Sequence, residues 1–214
     1  MTTALGTAQP TLILRDISWR TYEDLLADLS DRSVPRRTLD RGVLEIMSPT
    51  QEHEQTDTAI ALLVSTVAEE LEIDFLSLGS TTHRHQDLMR GFEPDSSFYI
   101  QNLGKVLGKT VDLSVDPLPD LIVEVEVTSD ALDKLPIYAA LAVPEVWRYA
   151  GSKLSILLLA GGCYRESENS AVLPSLSCSC CLRIHPAEPF AQQDCLAQAS
   201  APLGRAEPNE SAGA

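Results

Sequence analysis

The sequence predicts a mixed α/β domain, with one sheet and helices packed against it. Three observations carry that reading. Apolar residues recur at helical spacing over 18–29 and again from about 51 to 72. Paired apolar runs flank turn-forming residues within 34–47, 75–100 and 145–160, as hairpins do. Finally, "LIVEVEVTS" (121–129) reads as a buried strand followed by a short helical pattern.

In chain order, residues 1–12 form a loose lead-in. "SWRTYEDLLADL" (18–29) places Trp19, Tyr22, Leu25, Leu26 and Leu29 on one helical face, with Ser18 or Thr21 as cap. "VPRRTLDRGVLEIM" (34–47) reads as two strands around a turn at Asp40, Arg41 and Gly42. Ser48-Pro49-x-Gln51 has the form of a capping box and opens a helix to about Glu72, buried through Ile60, Leu63, Val64, Val67 and Leu71. Strands follow at 75–85 and 91–100, then a polar irregular loop over 102–118. After the strand at 121 comes a short helix within 129–143, and Pro136 must lie in its first turn. "VWRYA-GS-KLSILLL" is a hairpin turning at Gly151 and Ser152, and a last strand runs from Cys163 to Ser167. The folded domain is expected over 13–175. Residues 176–214, rich in Ala, Pro, Glu, Gln and Ser, read as a disordered tail.

Composition narrows the function. A chain of 214 residues with 44% hydrophobic content suits one globular domain. Its apolar runs are shorter than the roughly 18 residues a membrane span needs. The N-terminus lacks a basic region followed by an apolar core, so a cytoplasmic location is expected. A net charge of −15 argues against coating nucleic acid by electrostatics alone. It leaves room for an enzyme that holds cations in an acidic pocket. Arg36, Arg37 and the stretch "THRHQDLMR" (82–90) are locally basic and read as solvated strand edges. Five cysteines, three of them in "CSCCLRIH" (178–185), read as reduced thiols near a domain end, because the second spaced pair of a zinc site is missing. Trp147 and Tyr149 read as packing residues, and His53 as a capping or surface residue at the start of the long helix.

The acids of the central strand raise the functional question. Alternation places Leu121, Val123, Val125 and Val127 on one face, and Ile122, Glu124, Glu126 and Thr128 on the other. Carboxylates at i and i+2 stand roughly 6.5–7 Å apart. They repel unless neutralised, and a hard divalent cation neutralises them well. On the strand alone, a solvated face or a structural salt-bridge network is the favoured account of them. Three further features point to chemistry. Asp95 follows Pro94 in "EPDSS", where proline breaks the ladder and sets an acid at a sheet end. Lys134 stands at the start of the next helix. Glu45 lies mid-strand in "VLEIM". Removing one carboxylate, by Asp95→Asn or Glu124→Gln, is expected to relieve repulsion and to keep or raise the stability of the metal-free protein.

This arrangement resembles the PD-(D/E)XK nuclease superfamily, and more closely the Uma-two family of restriction-endonuclease-like proteins. The matching stretches are "GVLEIMSPTQEHE" (42–54), "GSTTHRHQDLMRGFEPDSSFYIQN" (79–102) and "PDLIVEVEVTSDALDKLPIYAALAVPEVWRY" (119–149) with the hairpin after it, about 15 to 175 in all. The resemblance implies a restriction-endonuclease-like mixed central sheet flanked by helices. It implies a Mg²⁺- or Mn²⁺-dependent endonuclease acting on phosphodiester bonds, DNA the expected substrate and a homodimer an allowed assembly. Asp95 takes the place of the PD aspartate and Glu124 the (D/E) place. Where the pattern has lysine, this chain has Glu126, and Lys134 stands in from the helix. Asp95, Glu124, Glu126 and the auxiliary Glu45 are the expected metal ligands, and Asp95, Glu124 and Lys134 the catalytic set. The stretch "SLSCSCCLRIHP" departs from the usual family ending. That departure and the acidic charge keep open a second reading, a non-catalytic binding or regulatory module on the same scaffold.

Overall fold

The computed structural model describes residues 10–30, 34–113, 115–126, 132–151, 153–174 and 176. The tail expected over 176–214 lies outside them except for Leu176, as do Cys178, Cys180, Cys181 and Cys195. Cys163 is an exposed free thiol.

The described strands are β1 (Thr11–Leu14), β2 (Arg36–Asp40), β3 (Val43–Met47), β4 (Leu76–Ser77), β5 (His83–His85), β6 (Arg90–Phe92), β7 (Ser96–Tyr99), β8 (Leu121–Glu126), β9 (Glu145–Ala150), β10 (Lys153–Ala160) and β11 (Cys163–Ser167). The helices are α1 (Trp19–Asp28), α2 (Gln51–Glu70), α3 (Leu103–Val106) and α4 (Leu135–Ala140). They form a mixed α/β fold, but with two sheets where one was expected. An antiparallel sheet runs β1-β3-β2-β6-β5, and a mixed sheet runs β11-β10-β9-β8-β7-β4. Within the mixed sheet, β8 and β9 pair in parallel.

The second sheet arises because the two strands expected at 75–85 and 91–100 are each broken. Gly79, at φ +54°, turns the chain away from β4, and β5 then pairs with β6 in the other sheet. Pro94, which has no N–H to give a ladder, marks the return, so β6 pairs with β2 while β7 pairs with β8. Asp95 therefore sits where the chain changes sheets.

Local boundaries differ for local reasons. Thr11 and Leu12, expected in the lead-in, begin β1 by pairing with Met47 and Ile46. The cap of α2 is Thr50, which accepts from the His53 N–H at 3.3 Å. Ser48, the expected cap, still belongs to the strand edge, its N–H donating to the Pro10 carbonyl. The helix then ends at Glu70, two residues short of the expected stop. The loop at 102–118 contains the single turn of α3. Helix α4 is shorter than expected: Lys134 is its N-cap and Pro136 lies in the first turn, while 127–131 fall outside the described residues.

The mixed sheet buries both faces. Leu121, Val123, Val125 and Trp147 pack against Ile60, Leu63, Val64 and Val67 of α2. Ile122 and Val146, facing the other way, pack with Phe92, Ile137 and Tyr138. Burying each such large side chain contributes about 1.5–3 kcal/mol. A third cluster, Trp19, Tyr22, Leu39 and Leu44, seats α1 on the antiparallel sheet. Trp147 and Tyr149 are core residues, as their reading as packing residues required.

Candidate active site

Alternation along β8 sends Val123 and Val125 into the α2 core and Glu124 toward α4. Lys134 and Tyr138 are one helical turn apart, so they share a face of the chain entering α4. Both reach Glu124. The Lys134 ammonium donates to Oε2 at 2.8 Å, and the fully buried Tyr138 hydroxyl donates to Oε1. Burial first, and the Glu124 charge second, hold the Tyr138 phenol far above its usual range, so it stays a donor.

Two more acids converge there. Glu45, from β3, is 2% exposed and accepts the Leu132 N–H at 2.5 Å. Burial pushes its carboxyl upward; the Leu132 N–H and Lys134 lower it, and Glu124 raises it further. Glu126 Oε2 meets an Arg148 Nη at 2.6 Å, and that contact raises the guanidinium's affinity for its proton. A cavity of about 30 Å³ lies among Glu45, Glu124, Glu126, Lys134, Tyr138 and Arg148. Four of the five expected site residues thus line one cavity.

Asp95 does not line it. Its carboxylate is nearly fully buried on the α2 side of β8. Oδ2 accepts the Val125 N–H at 2.6 Å, and Oδ1 pairs with Arg36. Arg36 also binds Glu54 at 2.8 Å. His53 Nε2 stands 3.2 Å from Asp95 Oδ2. His53 is fully buried, which overturns its reading as a capping or surface residue. Among the described residues neither ring nitrogen has a partner in hydrogen-bond geometry. Burial first, and Arg36 second, lower the imidazole to about 3, so it is neutral. Behind it, Asp57 is raised to about 6 by burial, against the lowering bond from Ser96 at 3.2 Å. The reading of Arg36 and Arg37 as a solvated edge also fails: both are buried, Arg37 pairing with Glu93 at 3.3 Å. His83 in the second basic stretch is likewise buried.

Tyr138 and Arg148 have no place among the site residues expected from the sequence, and Arg36 was expected only at a solvated edge. Tyr138 had a signal, the four-residue step from Lys134. Arg148 is brought opposite Glu124 by the parallel register of β8 and β9, and Arg36 reaches Asp95 across the sheet change. Neither pairing has a local signature.

The Uma2 sequence model, described as "Putative restriction endonuclease", matches residues 19–183. The chain belongs to the Uma2 family. Among curated proteins nothing matches it. A crystal structure from Anabaena variabilis ATCC 29413, described as a "putative nuclease belonging to DUF820", superposes with a TM-score of 0.51 at 12% identity. The overlap covers 78% of this chain and 97% of that one, which establishes a shared fold.

The donor set of this Uma2 protein suits a hard divalent cation in its chemistry. Glu45, Glu124 and Glu126 bring oxygen ligands to one cavity, where three carboxylates face two cationic side chains. Among the described residues no three Asp, Glu, His or Cys side chains already stand together as a metal-binding group. Each acid is instead held by a donor of the protein itself.

Proposed function

We propose that this Uma2 protein is an endonuclease that hydrolyses phosphodiester bonds in DNA with Mg²⁺ or Mn²⁺. The observation that carries the reading is Lys134 at 2.8 Å from Glu124 beside a cavity that Glu45 and Glu126 also line. Glu124, Glu126 and Glu45 would hold the ion, while Asp95, on the α2 side of β8 and bound by Arg36 and the Val125 N–H, stays outside the ligand set. A bound Mg²⁺ supplies Lewis-acid polarisation and a water of lowered pKa. Lys134 contributes a point charge for the oxygens that gain charge as the phosphodiester is attacked. Tyr138 and Lys134 together orient Glu124. Each carboxylate oxygen accepts one of their bonds and keeps a lone pair free.

The test is incubation of supercoiled and single-stranded DNA with Mn²⁺ or Mg²⁺, with EDTA as control. Wild type should nick or linearise DNA only with metal, and Lys134→Met should bind metal without cleaving. A second reading, a non-catalytic module on the same scaffold, is favoured by one observation: every acid of the cluster already has a protein partner. Absence of cleavage together with unchanged DNA binding in Lys134→Met and Glu124→Gln would support it.

A further inference from the structure

We propose that Arg148 is a phosphate-contacting residue of this site, held in reserve by Glu126. The inference rests on the reading of the cavity as a nuclease site. A chain of net charge −15 needs local cations to meet a polyanion. Two line the cavity. Lys134 is 10% exposed and sits inside the cavity against Glu124, out of reach of a strand backbone further out. Arg148 is 38% exposed, so its guanidinium is the one a strand backbone can reach from outside.

The position is built, not incidental. Parallel pairing sets Arg148 beside Glu124 on the neighbouring strand, and the same pairing sets Glu126 beside Ala150. One Nη of Arg148 is occupied by Glu126 at 2.6 Å. Its Nε is buried and, among the described residues, has no hydrogen-bond partner. A guanidinium offers five donors in a planar fork suited to two phosphate oxygens, so one carboxylate contact does not exhaust it. Glu126 is itself 34% exposed. The pair therefore lies at the mouth of the cavity, where a carboxylate drawn toward a cation releases the guanidinium to the phosphate.

The idea separates from a plain salt bridge by the sign of one variant and by salt dependence. Binding of a fluorescein-labelled mixed-sequence duplex would be followed by anisotropy over a range of NaCl, with EDTA present so that Glu126 holds Arg148 in wild type, and cleavage assayed separately. Arg148→Ala should weaken binding on the order of tenfold and lower the slope of log affinity against log salt by about one. Arg148→Lys should keep the slope and recover only part of the affinity, since it restores charge without the fork. Glu126→Gln should bind more tightly than wild type, because it frees the guanidinium and removes a negative charge. A structural salt bridge predicts lower thermal midpoints for both partners and no change in slope. Unchanged slope in Arg148→Ala, or weaker binding in Glu126→Gln, would overturn the assignment while metal-dependent cleavage by wild type still upheld the nuclease reading. If wild type bound no duplex at any salt the assignment would fall, and if it also cleaved no DNA with Mn²⁺ or Mg²⁺ the nuclease reading would fall with it. Should Arg148→Ala not fold, Arg148→Lys and Glu126→Gln decide.

Discussion

Asp95 keeps both carboxylate oxygens engaged, one by the Arg36 guanidinium and one by the Val125 N–H. Repulsion among unneutralised acids, the expectation from the strand pattern, is therefore not its condition. Asp95→Asn takes the charge from a buried pair and weakens the acceptor of the Val125 N–H, while Arg36 keeps Glu54. It should lower metal-free stability by about 1–3 kcal/mol, measured by urea unfolding. A neutral or stabilising effect would restore the repulsion picture. Asp57 makes a pH prediction. Its carboxyl is raised to about 6, against an ordinary value near 3.8, so between those pH values the native state keeps a proton that the unfolded state has lost. Stability from this group therefore falls as pH rises from about 4 to 6, and the penalty is full above. Asp57→Asn should remove that penalty. Its stability relative to wild type should climb across the window by about 1–3 kcal/mol and stay level to pH 8. A flat difference curve would show Asp57 to be ordinary.

At the scale of elements, α1 is seated on the antiparallel sheet through one close approach. Gly91 of β6 pairs with Leu39 of β2, and a Cβ added there would meet Cε1 and Cζ of Tyr22 at 2.6 and 2.7 Å. That is backbone giving way to a ring, so only glycine fits. Gly91→Ala should cost about 1–3 kcal/mol by overpacking, and Tyr22→Leu in the same chain should return part of it. Additive losses in the double variant would show that the ring is not the obstacle. The element that matters for the site is the α4 entry. Its four-residue step aims Lys134 and Tyr138 at one carboxylate, so both bonds to Glu124 form only in this register of helix to strand.

Across the whole molecule, the candidate site is where β8 of the mixed sheet, β3 of the antiparallel sheet and α4 converge. A ligand that binds the native state alone raises stability by about 1.4 kcal/mol at ten times its dissociation constant. Millimolar Mg²⁺ should therefore raise the thermal midpoint of wild type by a few degrees, and should do little for Glu124→Gln. No shift in wild type at millimolar Mg²⁺, checked by calorimetry, would retire the metal site. Among the described residues no helix is long and apolar enough to cross a membrane.

The sequence by itself determined the elements and much of the cavity. Helix α2, strand β8 and the β9–β10 hairpin were legible because apolar periodicity and turn residues act within a few positions of one another. The same alternation put Glu124 and Glu126 on one face, and Lys134 followed closely enough along the chain to fold back over it. Only the tertiary structure decided that two sheets form, because the breaks after Gly79 and at Pro94 choose pairing partners far away in the chain. That choice turns Asp95 toward Arg36 and His53, 59 and 42 positions distant in sequence. It also decides whether an acid stands bare or paired. Glu126 meets Arg148 because β8 and β9 run parallel in one register, and register is set by the packing of both sheet faces, which no local pattern encodes.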